Sequence, residues 1–491
     1  MLKKNKCKPA LLVAFAFLGV IPNQISAAPK AAKPNIIVIL SDDQGWVDTS
    51  VQMHPDRKDS RKKIYKTPNL KRLAKAGMIF SQGYAGAPQC APSRGALQFG
   101  QTPTRLAHTT NAGDYLVKER GHLLTIPKAI KSVHPEYVAG HLGKWHVPKC
   151  DPSDAGYDEH DGTTGNGGGE KYEHLDGAKL PQDDPKQIYT VSKRSCEFIA
   201  EQAKAKKPFY LQISHYAVHV PVDAHPETLA ATQKRFARDF PELEKSSIVN
   251  YAAMIEDLDT GLGMILDELE KQGIRDNTYV LFTSDNGGCR GNEPLQGGKR
   301  WLYEGGIRVP FVMSGPQIAK GSFCNTPVVG WDLLPTIYDL VGGTAKLEAD
   351  LDGGSFRGLL ESVDGATVVR RTTDLIWRFL KWEGLAHDNV PAAAAIRRGK
   401  YKLFHNYYTD SYELYNVDED ISEENNLIES MPEIADNLKK SMRQYFDQVD
   451  AQDYWIHRKD GKKNLIGAKG LEEEIQRHRD ATRNKKKKTK F

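Results

Sequence analysis

Apolar positions in this chain follow two rhythms. Short, unbroken apolar runs rich in β-branched residues stop at polar or glycine-rich corners: 35–40, 137–142, 208–214, 278–284 and 307–313. Runs without alternation predict strands buried on both faces of a parallel sheet. Between them lie helical patterns. Residues 67–77 carry a Thr cap, an early Pro and a closing Gly, and 125–133 begin in the same way. Met254, Leu258, Leu262, Ile265, Leu266 and Leu269 form one apolar stripe that ends at Gly273, and 331–340 reads as a further short helix. Strands alternating with helices predict an α/β fold, a mostly parallel central sheet sandwiched by helices.

The rhythm changes near residue 350. Residues 394–405 read as two short strands about a turn at Arg398-Gly399, and 411–417 as a third. Pro432 then opens a helix with Ile434, Leu438, Met442 and Phe446 on one face. This predicts a small antiparallel sheet with a covering helix, an α+β subdomain over 366–465 following a catalytic domain over 28–365. Residues 151–184, polar and glycine-rich, read as a surface loop.

Composition narrows the class. The chain has 491 residues, 39% hydrophobic and 27% charged, which is globular and excludes collagen, coiled coil and wholesale disorder. Lys3, Lys4, Lys6 and Lys8 precede an apolar run from Ala10 to Ile21 and the small residues Ser26, Ala27 and Ala28. That is the layout of a secretory signal over 1–27, cleaved near Ala27/Ala28, with export machinery as a partner and a secreted or periplasmic product. The run is too short for a stable membrane span. Losing the leader's four lysines takes the net charge from +5 to +1, and setting aside the six cations at 483–490, within the 466–491 tail, takes it to −5. The basic balance thus belongs to the ends, and no nucleic-acid partner is expected. Six cysteines are too few for a disulfide scaffold; beyond the leader, Cys90, Cys150, Cys196, Cys289 and Cys324 remain, with no spacing that decides their pairing.

Chemistry collects at the strand ends. Ligands of open α/β sheets bind at the carboxyl ends of strands, which brings Asp42, Asp43, Lys144, His146, His219, Asp285 and Asn286 to one rim. Four hard oxygens from Asp42, Asp43, Asp285 and Asn286 suit Ca²⁺, and less well Mg²⁺, rather than Zn²⁺. Cys90 opens a Cys-Ala-Pro-Ser-Arg stretch in a loop of small residues, with a helix start expected over 93–97. A bare thiolate beside such a cation is mismatched in softness.

Cys90-x-Pro92-Ser93-Arg94 followed by Leu97, Gly100, Pro103 and Arg105 resembles the signature of the sulfatase family within the alkaline phosphatase superfamily. Ser41-Asp42-Asp43-Gln44-Gly45, Gly143-Lys144-Trp145-His146, His219-Val220-Pro221, Ser284-Asp285-Asn286-Gly287-Gly288, Gly297-Gly298-Lys299 and Glu304-Gly305-Gly306-Ile307-Arg308 resemble its further segments in family order. The resemblance implies an alkaline phosphatase-like fold and conversion of Cys90 to formylglycine (3-oxoalanine) by a maturating enzyme. It implies one Ca²⁺ held by Asp42, Asp43, Asp285, Asn286 and the modified Cys90. Arg94 and Lys144 would set the nucleophile's ionisation, Lys144 and Lys299 clamp the sulfuryl oxygens, His219 act as acid and His146 as base. The substrate expected is a sulfated carbohydrate, such as a marine algal ulvan, carrageenan or fucan, with His108, Arg105, Arg300, Trp301 and Asn166 as candidate contacts. His141, His215 and His122 read as turn or supporting histidines. A phosphomonoester or phosphonate-ester hydrolase of the same superfamily, or a non-catalytic glycan-binding protein, are the competing readings.

Overall fold

A computed structural model describes residues 33–109, 120–166, 183–347, 350–362, 365–380, 390–407, 409–451, 454–457 and 463–466. The leader, the basic tail and the glycine-rich part of the 151–184 loop lie outside the described residues. In chain order the elements are β1 (Asn35–Ser41), α1 (Pro68–Lys75), β2 (Gly77–Phe80), β3 (Gly83–Tyr84), α2 (Cys90–Phe99), α3 (Ile126–Val133), β4 (Val138–Gly143), β5 (Glu159–His160), α4 (Ile188–Ala205), β6 (Phe209–Ser214), α5 (Pro226–Asp239), α6 (Ile248–Lys271) and β7 (Thr278–Ser284). They continue with α7 (Glu304–Ile307), β8 (Phe311–Ser314), β9 (Ser322–Cys324), β10 (Val328–Val329), α8 (Leu333–Leu340), α9 (Arg357–Leu360), β11 (Leu375–Phe379), β12 (Ala393–Arg398), β13 (Tyr401–Asn406), β14 (Ser411–Asn416), α10 (Pro432–Gln448), β15 (Tyr454–His457) and β16 (Lys463–Ile466).

Eight strands form the central sheet in the order β5-β4-β6-β1-β7-β8-β2-β9. Only β8 runs against the others. β1 shows why its sequence does not alternate. Ile37 and Ile39 enter a core shared with the helical stripe of α6, while Ile36, Val38 and Leu40 enter a second core with α3 and α8. Both faces are covered, so both side-chain sets must be apolar.

Two expectations need correction, and two helices were not expected at all. The run at 307–313 is not one strand: Glu304–Ile307 is a helical turn, with Arg308 N–H donating to Glu304 O at 2.8 Å, and only Phe311–Ser314 joins the sheet. Buried pairing of Glu304 with Arg308 favours the turn over extension of the apolar run. The helix expected from Ser93 starts at Cys90 itself. Helices α4 and α5 escaped the pattern reading; in α4 the buried face is Ile188, Val191, Ser192, Ser195, Phe198, Ile199 and Gln202, an apolar stripe broken by serines.

Past residue 370 the antiparallel sheet β11-β12-β13-β14 has the expected hairpin at 398–401 plus a strand, β11, that the pattern reading passed over. One face, carrying Trp377, Ala395 and Phe404, packs with Tyr84, Leu302 and Trp331 of the main body. The other, carrying Ile396, Leu403 and Leu414, is covered by Ala435, Leu438, Met442 and Tyr445 of α10. Among the described residues no helix is long and apolar enough to cross a membrane.

Candidate active site

The parallel strands β4, β6, β1 and β7 lie side by side, and their carboxyl ends deliver the predicted residues to one place. The ladder continues past the strand ends: Asp42 N–H donates to Ala217 O at 2.8 Å, Asp285 N–H to Ser41 O at 3.1 Å and Lys144 N–H to Ser214 O at 2.8 Å. Two glycines make the approach possible. A Cβ on Gly143 (φ 96) would sit 2.0 Å from Ser214 O, and one on Gly287 2.0 Å from Gly305 O.

The charged side chains interlock. Lys144 Nζ donates to Asp42 Oδ2 at 2.5 Å, Lys299 Nζ to Asp43 Oδ2 at 2.7 Å and Arg94 Nε to Asp285 Oδ2 at 2.8 Å. Arg94 Nη1 also donates to Lys144 O at 2.5 Å, which ties helix α2, with Cys90 at its start, to the end of β4. Asp43 N–H donates to Asp285 Oδ1 at 3.1 Å, and Asn286 Nδ2 to Asp43 Oδ1 at 2.9 Å. Cys90, fully buried, is the first residue of α2, where the helix N-terminus favours an anion. Oxygens of Asp42 and Asp285 and the Cys90 sulfur lie within 4.8 Å of one another.

This donor set fits a hard cation. Asp42 Oδ1 and Asn286 Oδ1 are buried oxygens without a hydrogen-bond partner among the described residues, a costly condition unless a cation takes them. The three carboxylates also balance the three cations Lys144, Lys299 and Arg94, so a divalent ion makes the site net positive, as anion binding requires.

Electrostatics sort the titrating groups. Burial would raise Asp42, but Lys144 and Arg94 hold it well below the usual carboxylate range. Burial, then the neighbouring Asp42 charge, pushes Asp285 up to about 7. Burial, reinforced by Lys144 and Arg94, takes His146 down to about 2, so its imidazole is neutral. Burial also lowers His219, whose Nδ1 lies 2.6 Å from Val220 O while Nε2 lies 3.8 Å from Asp43 Oδ2. The Cys90 thiol is raised by burial, partly offset by Lys144 and Lys299, which disfavours a thiolate.

The candidate substrate contacts divide. Arg300 and Trp301 line a cavity of about 500 Å³ together with Lys299 and Cys289. Arg105 instead makes a two-pronged pair with Asp352, at 2.9 and 2.7 Å, a tie between the loop after α2 and residue 352. His108 is buried, 3.5 Å from Arg120 Nη1, and Asn166 is exposed. His141 and His215 are buried near the site, and His122 is exposed. Two further residues at the site are given no role by the sequence: Lys186, which no motif announces, and Cys289, which directly follows the 284–288 motif. Lys186, 1% exposed, donates to His219 O at 2.9 Å. Cys289 donates to Asp43 Oδ2 at 3.3 Å. None of the five described cysteines is in a disulfide.

The Sulfatase family model matches residues 34–343, and a model described as N-sulphoglucosamine sulphohydrolase, C-terminal, matches 297–450. A mouse N-acetylgalactosamine-6-sulfatase is 30% identical over 387 residues, covering 70% of this chain and 68% of its own. A Formosa agariphila sulfatase is 28% identical over 484 residues, covering 82% and 85%. The crystal structure of Ps i-CgsB in complex with k-i-k-neocarrahexaose superposes with a TM-score of 0.72 at 26% identity, over 87% of this chain and 96% of that one. The fold is alkaline phosphatase-like, and the chain belongs to the sulfatase family, as a sulfuric ester hydrolase.

Proposed function

We propose that this enzyme is exported and removes sulfate from a sulfated poly- or oligosaccharide of the algal type, using formylglycine at position 90 and one Ca²⁺. The observation that carries the chemistry is the cluster of Asp42, Asp285 and Cys90 ligand atoms within 4.8 Å, set among Arg94, Lys144 and Lys299. The carbohydrate reading is supported by the 26%-identical structure solved with k-i-k-neocarrahexaose, and export by the leader-like N-terminus.

Asp42, Asp43, Asp285, Asn286 and the oxidised side chain at 90 would hold the calcium. When bound, calcium neutralises sulfate charge and favours an ionised oxygen nucleophile, here a hydroxyl of the aldehyde hydrate. The chain's own residues do the rest. Arg94 anchors the start of α2 to Asp285 and to Lys144 O, fixing where position 90 points. Lys144 and Lys299 present fixed positive charge to the sulfuryl oxygens, where negative charge builds in the transition state. His219 delivers a proton to the leaving alcohol from Nε2, its Nδ1 being held at Val220 O and that carbonyl's neighbourhood braced by Lys186. His146 is the group assigned to take the proton whose loss expels sulfate.

Sulfate-release assays on defined sulfated oligosaccharides, beside aryl sulfate and aryl phosphate, test the reading. Release of sulfate but not phosphate is expected, with peptide mass spectrometry finding sulfur absent at position 90. Phosphate release as the dominant activity, or active protein with an intact thiol, overturns it. A protein that binds sulfated glycans without turnover would instead be a binding module.

A further inference from the structure

We propose that the loop at 56–63 docks the polyanionic chain of a sulfated polysaccharide, with Lys58, Arg61 and Lys63 as its outward cations. This rests on the sulfatase reading and adds to it a preference for polymeric substrate.

Charge is the first observation. Without its ends the chain is acidic, at −5, yet residues 56–63 hold five cations and two anions. Arg57 is paired with Asp59, at 3.2 and 2.8 Å, and Lys62 with Glu293, at 3.3 Å. Lys58, Arg61 and Lys63 remain. All three are exposed, and their side chains meet no hydrogen-bond or ion-pair partner among the described residues. Asp56 is the one acid of the loop outside such a pair. Cations gathered on one exposed loop of an acidic molecule set a local field that draws polyanions.

The backbone under these cations is pinned. Ser60 is fully buried; its hydroxyl donates to Arg57 O at 2.6 Å and accepts from His54 N–H at 3.0 Å. Met53 N–H donates to Ser60 O at 3.3 Å, and Gln52 Nε2 donates to His54 O and Pro55 O at 2.9 and 2.8 Å. On the flanks, Val51, Met53 and Tyr65 enter the core shared with α6. Charges on a fixed loop bind with less ordering cost than the same charges on a flexible one.

Topology puts the loop on the edge of the sheet that bears the site. It follows the carboxyl end of β1, beyond Asp42 and Asp43, and leads into α1. Lys62 N–H donates to Thr49 O at 3.0 Å, and Lys62 Nζ donates to Gly291 O. Gly291 lies past the carboxyl end of β7 and two residues beyond Cys289, whose thiol donates to Asp43 Oδ2. A glycan chain docked on this loop is thereby held on the active-centre side while one of its sulfates reacts, so binding gains from chain length.

The test compares kcat/KM for sulfate release from polymeric carrageenan, ulvan, fucan and chondroitin sulfate, from their short oligosaccharides, and from 4-nitrophenyl sulfate. In Lys58→Gln/Arg61→Gln/Lys63→Gln the ratio of the preferred polymer to 4-nitrophenyl sulfate should fall about tenfold, through KM. Short oligosaccharides should lose about twofold or less. The melting temperature should hold, because the three side chains are exposed. Salt should raise the wild-type KM on polymer and the variant's much less. Lys204→Gln/Lys206→Gln/Lys207→Gln removes three exposed cations where α4 leads to the amino end of β6, and should leave the polymer preference intact. Equal losses in both triple variants, or no loss in the first, overturn the proposal while sulfate release itself continues. So does a first variant that keeps its polymer KM but loses binding to phosphatidylglycerol vesicles, which would make the loop a membrane contact. No release from any sulfated carbohydrate overturns the underlying reading and this inference with it.

Discussion

Lys144 is a fully buried ammonium whose Nζ holds Asp42, and Arg94 is a buried guanidinium holding Asp285. Removing one partner strands the other charge. Lys144→Met is therefore expected to cost about 3–5 kcal/mol of stability and to abolish measurable sulfate release, checked by urea unfolding and a sulfate assay. Leaving-group dependence tests the role of His219. His219→Ala should lose about 10²-fold or more on sugar sulfates and much less on 4-nitrophenyl sulfate, whose phenolate needs little protonation. Equal losses on both would remove it as the acid. At this scale the sequence was highly legible, because aspartates, histidines and lysines at strand ends have few other reasons to recur. Lys186 was illegible because nothing local marks it, and Cys289, although it directly follows the 284–288 motif, carries no signal that its thiol reaches Asp43. Lys186 matters only because its Nζ reaches the carbonyl of His219, 33 positions away.

Elements explain why the site needs residues far beyond its motifs. Trp377 on β11 donates from Nε1 to Ala85 O at 3.0 Å, bracing the loop before Cys90. Lys402 on β13, fully buried, bridges Glu304 at 3.0 Å and Glu423 at 2.9 Å. The turn begun by Glu304 supplies Gly306 O to Gly287 N–H in the 284–288 segment, at 2.9 Å. Lys402→Met should thus cost about 3–5 kcal/mol and reduce calcium affinity as well, although Lys402 touches no metal candidate. Calcium titration alongside denaturation checks both, and an unchanged calcium affinity would separate the small sheet from the site. The strands β1, β4, β6 and β7 could be read directly, since burial on both faces leaves unbroken apolar runs. The small sheet's hairpin was legible too, but not its coupling to Glu304, because a buried Lys-Glu pair looks in sequence like two surface charges.

Whole-molecule behaviour should show in calcium and pH dependence. A chelator is expected to lower the melting temperature and erase activity, with Ca²⁺ restoring both, because a cation bound only by the folded state stabilises it by mass action. Burial lowers His215 to about 4, and neither ring nitrogen meets a partner among the described residues. Burial likewise takes His141 to about 3. Each is neutral when folded and protonates near 6.5 when unfolded, so unfolding takes up protons below that pH. Their stability contribution is complete above about pH 6.5 and is lost as pH falls toward 4. His215→Phe should flatten this acid slope in unfolding measured from pH 7 to 4; an unchanged slope would show that the imidazole finds a proton or partner in the fold.

By itself the sequence determined which residues could do chemistry and which strands must be central, because both follow from local composition: unbroken apolar runs, the oxygen ligands that end them, and a cysteine among small residues. Only the tertiary structure decided which charges pair. It locked Arg105 onto Asp352, reversed β8, put Lys186 behind His219 and set Arg300 in a left-handed turn held by Pro88. Those outcomes depend on distances between segments tens to hundreds of residues apart, and pairing energies that fall off within a few ångströms leave no trace in the local order of residues.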